Sequence, residues 1–161
     1  MRASSCSCAA DFQCRPAFSG DYRQLKAIFN RARHPTFIGR SLCASAAKNG
    51  GCFRFQFAGS DIATAIVNPR LNVLLALAVV PEHQGHGLGT AILRYLACNF
   101  ARVESRAVPF FERNGFIAIG ELKKGKTLYT QIMVRASLIP LAGRVARIYG
   151  ASKKSGRSPA D

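Results

Sequence analysis

Apolar and polar positions change their period several times along the chain, and each change predicts an element. Residues 1 to about 10, rich in Ser, Cys and Ala, keep no period and predict a loose arm. Phe12 to Arg15 reads as a short first strand, followed by Ser19 or Asp21, either of which can cap a helix. In that helix Leu25, Ile28, Phe29 and Ala32 fall at i, i+3, i+4 and i+7, one apolar face. His34-Pro35 should end it, because a residue before proline is driven out of the helical region. A weaker helix is predicted over Ser41 to Lys48, closed at Asn49-Gly50-Gly51.

The period then falls to two. Phe53, Arg54, Phe55, Gln56 and Phe57 alternate aromatic with polar across Cys52 to Ala58, as a half-buried strand does. Gly59-Ser60 turns into a strand over Ile62 to Val67, and Asn68 to Asn72 turns into the run Val73 to Val80. Short turns make the three an antiparallel meander, and the third, apolar throughout, reads as a central strand covered on both faces. Thr90 to Ala101 carries an apolar helical stripe of Ile92, Leu93, Leu96, Ala97 and Phe100. Then come a short strand around Val103 to Ser105, a brief helix over Val108 to Asn114 ending at Gly115, and strands over Phe116 to Ile119 and Leu128 to Val134. Leu138, Leu141, Ala142, Val145, Ile148 and Tyr149 predict a terminal amphipathic helix bearing Arg144 and Arg147. The organisation is therefore an arm (1–10), one domain (11–135), a basic amphipathic helix (136–150) and a polar tail (151–161), with no internal repeat.

Charge changes this picture. The 23 Lys and Arg against 8 Asp and Glu give a formal net charge of +15 over 161 residues. Such a surplus fits a nucleic acid, an anionic membrane face or a phosphate-rich cofactor, and equally a solvated basic surface. The longest apolar run, Val73 to Val80, is far short of the roughly 20 residues that span a bilayer, so no membrane is expected. The first 15 residues hold no continuous apolar segment, which predicts a cytoplasmic chain with its six cysteines reduced. Cys6, Cys8 and Cys14 match no common zinc spacing and have no nearby His, so no metal is read; Cys98, beside Leu96 and Phe100, reads as core.

The chemistry concentrates in Val79-Val80-Pro81-Glu82-His83-Gln84-Gly85-His86-Gly87-Leu88-Gly89-Thr90, between a buried strand and the strongest helix. Three glycines in five residues let successive N–H groups converge, and the helix start aims its unpaired N–H groups and positive dipole end at the same point. That is a cradle for phosphate or pyrophosphate without a side-chain charge. The spacing fits neither a dinucleotide fingerprint nor a triphosphate-binding P-loop. A tight strand-to-helix turn with no ligand is the plain structural alternative.

Here the sequence resembles a family. Gln84-Gly85-His86-Gly87-Leu88-Gly89 is similar to the Gln/Arg-x-x-Gly-x-Gly/Ala signature of the GNAT superfamily, the acyl-CoA-dependent N-acetyltransferases. Leu77-x-Val79-x-Pro81 before it, Ala91-Ile92-Leu93 after it, and Ala107-x-x-x-Phe111-Glu112-x-x-Gly115-Phe116 downstream extend the likeness. The resemblance covers roughly residues 12 to 135. It implies an α/β (α+β) fold with a mixed, mostly antiparallel sheet of six to seven strands and helices on both faces. It further implies acetyl-CoA as the acetyl donor, with coenzyme A as product, and a primary amine as acceptor. Main-chain groups of Leu77, Ala78 and Val79 would pair with the pantetheine arm, and Gln84, Gly85, His86, Gly87, Leu88, Gly89 and Thr90 would hold the pyrophosphate. Donors near Val79 would stabilise the oxyanion.

Two departures bear on catalysis. Phe111 stands where many members carry a Tyr thought to protonate the departing thiolate. Glu104 stands where an Asn often binds pantetheine; it is a candidate general base, or an ion-pair partner of Arg102, Arg106 or Arg113. Tyr129 is the candidate replacement acid, and His34 reads as a surface residue. Between Leu122 and Ala160 there are nine basic residues and no acidic one, which raises an acceptor carried on a polyanion such as aminoacyl-tRNA, with RNA or DNA contact through the C-terminal region. A small-molecule or protein amine, and a non-catalytic nucleic-acid-binding protein on a GNAT scaffold, are the alternatives. The terminal helix is a candidate homodimer surface.

Overall fold

A strand followed by two helices, then three strands joined by tight turns and a further helix, make up the first of two units. The computed structural model describes residues 12–34, 38–124 and 129–138, with the side chains of 120–129 and 138 outside that description. The first unit runs to Cys98 and the second begins at Asn99.

In the first unit β1 (Phe12–Pro16), β2 (Cys52–Phe57), β3 (Ser60–Asn68) and β4 (Val73–Val79) lie in that order. Every neighbouring pair is antiparallel. Helices α1 (Tyr22–Arg31) and α2 (Arg40–Lys48) place Leu25, Ile28, Phe29, Cys43 and Ala46 against Cys52, Ile62, Ile66, Ala76, Ala78 and Val80 of the sheet. Helix α3 (Leu88–Leu96) packs on the other face, where its Tyr95 ring stands edge-on to Phe55 at 6.1 Å. Helices thus cover both faces of this sheet, as the resemblance implied. Along the strands Cys52, Ile62, Ile66, Ala76 and Ala78 face α1 and α2, whereas Phe55 faces α3, and bulges at Phe55/Gln56 and Ile66/Val67 interrupt the two-residue period.

Arg54 is the polar element of the α1–α2 face. Its guanidinium meets Asp61 at 2.7 Å and Asp21 at 3.2 Å, and Gln56 also donates to Asp61. Asp21 opens α1 and accepts from the Phe18 N–H as well, so one arginine ties β2, β3 and the start of α1 together.

Three predicted boundaries move. Helix α1 stops before the proline: Arg33 adopts a left-handed φ of 50°, and the His34 N–H turns back to Phe29. The strand buried on both faces is β3, whose residues Ile62 to Val67 are all buried; β4 alternates, with Leu74, Ala76 and Ala78 buried and Leu75, Leu77 and Val79 half-buried. An apolar run records composition, and cover comes from neighbours that a run does not reveal. Helix α3 begins two residues earlier than its stripe predicts and ends at Leu96, because Ala97 turns left-handed at φ 48°. Phe100, the last residue of the predicted stripe, opens a strand instead. Cys98 is buried as expected, but in the link between the two elements.

The second unit contains β5 (Phe100–Glu104), α4 (Val108–Arg113), β6 (Phe116–Lys124) and β7 (Tyr129–Arg135). Its strands order β5-β7-β6, all antiparallel, around buried Ala101, Val103, Phe111, Phe116, Met133 and Val134. The two units together hold seven strands, within the expected six to seven. The predicted terminal helix begins as a 3-10 turn, Ala136–Leu138, and the rest of it, the tail, and Cys6 and Cys8 lie outside the described residues. No helix among the described residues is long and apolar enough to cross a membrane.

Candidate active site

The segment between β4 and α3 folds in a short 3-10 turn, Pro81–His83, and then two left-handed glycines, Gly85 at φ 80° and Gly87 at φ 79°. An L-residue disfavours that torsion by roughly 1–2 kcal/mol, which is why glycine serves here. A Cβ at either position would meet no heavy atom within 4 Å, so both glycines border open space. Gly87 is the N-cap of α3, and no side chain caps the helix. The first intrahelical bond runs from the Ala91 N–H to the Gly87 carbonyl at 3.0 Å, leaving Leu88, Gly89 and Thr90 with N–H groups that have no acceptor inside the helix. Leu88 packs against the core and fixes the start of the helix, while Gln84, Gly85, His86 and Gly87 are exposed. This arrangement suits a pyrophosphate: uncapped amides at a positive helix end, reached through a surface with no β-carbons.

The loop is tied down at two points. Gln84 Nε2 donates to the Val79 carbonyl at 2.7 Å, closing the loop onto the end of β4. Glu82 pairs with Arg31 of α1 at 3.1 Å, and the loop's one carboxylate is held below the usual carboxylate range, chiefly by a main-chain hydrogen bond and then by Arg31. His83 is half-buried with its ring edge-on to Phe57 at 6.1 Å. The Arg31 contact was invisible in sequence, since 51 positions separate the partners.

Strand β4 sets its backbone by alternation. The Val80 N–H donates to Ile62 at 2.9 Å, so the Val79 N–H points away from β3. Leu77 lies in the same phase, whereas Ala78, opposite Thr64, directs its main-chain groups toward β3.

In the second unit Glu104 ends β5, opposite Thr130 of β7. Its Oε2 is shielded from solvent and receives no hydrogen bond among the described residues. Burial pushes its carboxyl pKa up, and the nearby Arg106 opposes the shift. Among the described residues it forms no ion pair with Arg102, Arg106 or Arg113. Phe111 is 6% exposed, edge-on to Phe110 at 5.2 Å and to Phe116 at 5.5 Å. The ring that lacks a hydroxyl is therefore core. Tyr129 opens β7 opposite Lys124, with its side chain outside the described residues. His34, expected at the surface, is half-buried against Phe29 at 5.1 Å.

Residues 44–118 match the family model of the acetyltransferase (GNAT) domain. No curated protein sequence matches the chain. Among solved structures it is similar to Arabidopsis thaliana Naa50 in complex with the bisubstrate analogue CoA-Ac-MVNAL: 13% identity over 76% of this chain and 98% of that one, TM-score 0.60. The polyamine N-acetyltransferase of Drosophila melanogaster shares 14% identity over 77% of this chain and 99% of its own, TM-score 0.59. The ribosomal-protein-S18-alanine N-acetyltransferase of Escherichia coli shares 21% over 76% and 91%, TM-score 0.57. These likenesses show the fold, and the family match over residues 44–118, somewhat under half of the chain, takes in the glycine turn on which the resemblance rests.

Proposed function

We propose that this chain, which matches the GNAT acetyltransferase domain model over residues 44–118 and shares the fold of GNAT enzymes, transfers an acetyl group from acetyl-CoA to a primary amine. The observation that carries the reading is the glycine turn, with its uncapped α3 amides opening onto unfilled space. Bound acetyl-CoA would supply an activated thioester and a thiolate leaving group. The amides from Gln84 to Thr90 would hold its pyrophosphate. Leu77 and Val79 would offer main-chain groups to the pantetheine arm, as an added strand does, with Ala78 as the spacer between them. The Val79 N–H is the proposed oxyanion donor, already oriented by the strand and so requiring no reorganisation during the reaction.

Glu104 is proposed to take the proton from the acceptor ammonium, directly or through one water. Burial supports this role, because a carboxylate with a raised pKa is a stronger base than an exposed one. Tyr129 is proposed to protonate the departing thiolate. Residues 11–135 form the proposed transferase domain. For the acceptor we propose an amine borne on a polyanion, an aminoacyl-tRNA being the form with a nucleophilic aliphatic amine; the support is the +15 charge.

The test is acetyl-CoA-dependent thiol release against a panel of amines, peptides and charged tRNAs, preceded by calorimetric titration with acetyl-CoA. Absence of acetyl-CoA binding at high micromolar protein removes the reading. Release driven by polyamines or peptides, and not by charged tRNA, removes the polyanion acceptor and leaves the transferase standing. Turnover unchanged in both Glu104→Gln and Tyr129→Phe removes the two assigned roles.

A further inference from the structure

The basic surplus has a location within the first unit. From Tyr22 to Ser60 the chain contains no Asp or Glu. Helices α1 and α2 and the residues just after α1 carry Arg23, Lys26, Arg31, Arg33, Arg40 and Lys48, all exposed. The carboxylates of the described first unit are Asp21, Asp61 and Glu82, and each is taken up by an arginine, two by Arg54 and one by Arg31. Five of the six helical-layer cations thus have no carboxylate partner among the described residues. They share one side of the sheet, while α3 on the opposite side adds Arg94.

Two further observations separate this layer from an ordinary solvated surface. Arg23 and Arg40 sit in the first turns of α1 and α2, which contain no acidic residue. A cation there opposes the helix dipole and costs about 0.3–1 kcal/mol, so helix stability does not account for the placement. Among the described residues, the exposed ones between the cations are Gln24, Ala27, Asn30, Ser41 and Ser45, none with an apolar side chain larger than a methyl to enter a bilayer.

We propose that the outer surface of α1 and α2 is a docking surface for the phosphate backbone of an RNA. The choice of RNA rests on the acetyl-transfer reading, since the nucleophilic amine of an aminoacyl ester is carried on RNA. The surface itself rests only on the charge placement. Lys26, whose ammonium lies 6.0 Å from the Tyr22 ring centre, keeps its charge at the outer edge of that layer. Through the Arg31–Glu82 contact the layer abuts the glycine turn, so an RNA held there lies beside the proposed donor site.

Five unpaired cations on a single strand give a slope of log affinity against log salt near −3.5, or a loss of about 100-fold between 50 and 200 mM salt. The experiment uses the full chain and a fluorescein-labelled 20-nucleotide RNA, with DNA duplex of matching sequence and phosphatidylserine vesicles as competing probes. The quadruple reversal Arg23→Glu, Lys26→Glu, Arg40→Glu, Lys48→Glu is expected to lower RNA affinity about 100-fold and flatten the slope. The control pair Arg70→Glu, Arg94→Glu is expected to change affinity about threefold or less. Melting temperature and acetyl-CoA titration of each variant keep misfolding apart from lost docking. RNA affinity and salt slope unchanged in the folded quadruple variant overturn the inference. So does a reversal effect confined to vesicles, or tighter binding to the DNA duplex than to RNA. A wild-type chain that binds RNA through this layer but no acetyl-CoA would sustain the surface and refute the transferase.

Discussion

Replacing Gly87 by Ala tests the torsion on which the phosphate-binding proposal depends. At φ 79° a Cβ meets no heavy atom within 4 Å, so the substitution adds no clash and acts through backbone strain alone. That strain is roughly 1–2 kcal/mol, reduced by about 0.4–1 kcal/mol because Ala also restricts the unfolded chain. If the fold holds the torsion, Gly87→Ala lowers unfolding stability by about 1 kcal/mol and leaves acetyl-CoA affinity alone. If the loop relaxes, stability is kept, the amides of Leu88 to Thr90 lose their alignment, and the dissociation constant rises about 5- to 30-fold. Urea unfolding and calorimetric titration on the same preparation read both quantities, and together they should account for the strain. Gly87→Asn should recover part of the loss, since Asn tolerates the left-handed region and is a good N-cap. An Ala variant equal to wild type in both measurements, or an Asn variant no better than Ala, would refute the reasoning.

Three other perturbations follow from the same geometry. Gly51→Ala would place a methyl inside the van der Waals shell of the Val67 carbonyl and 2.9 Å from Pro69 Cδ, where hydrogen bonds to Ala46 and Val67 prevent a shift; a loss of about 3 kcal/mol, read as a 6–12 °C drop in Tm, is expected. Arg54→Ala strands Asp21 and Asp61, whose side chains are 23% and 19% exposed, and should cost about 2–3 kcal/mol; a double-mutant cycle with Asp61→Asn that shows no coupling would contradict the ion-pair assignment. Glu104 must be ionised to act as a base, so kcat/KM should rise with pH through a limb above the ordinary carboxylate range, and Glu104→Gln should abolish that limb and lower kcat/KM by about 10²–10⁴. The folded chain also holds the Glu104 proton more tightly than the unfolded one, so this residue's contribution to stability should decline as pH rises from 4.5 through the raised value, and Gln should flatten that decline.

Local chemistry made much of this legible in advance. The stripe Leu25, Ile28, Phe29 and the triplet of glycines after Val80 are patterns within one turn of chain, and both produced the elements they predicted. What escaped prediction depends on distant partners. The Leu96 to Phe100 stretch keeps a helical apolar spacing, yet Ala97 turns left-handed, its carbonyl accepts from Asn72, and a strand follows. Strand β3 looked no more central than β4, because cover on its faces comes from elements such as α1 and α2 that are remote along the chain. Glu104 was legible as a candidate from its position, but whether an arginine neutralises it depends on where three side chains point.

The glycine turn has one last consequence, for how such a chain tolerates sequence change. A ligand gripped by main-chain amides asks little of the side chains around it: two torsions at Gly85 and Gly87, and no proline among the donors. Every other position on that surface is released from the donor's demands. Proteins of this fold can then differ down to 13–21% identity, and a chain can accumulate arginines along α1 and α2 without disturbing the proposed grip on acetyl-CoA. Inheritance of the reaction and invention of the acceptor become separable.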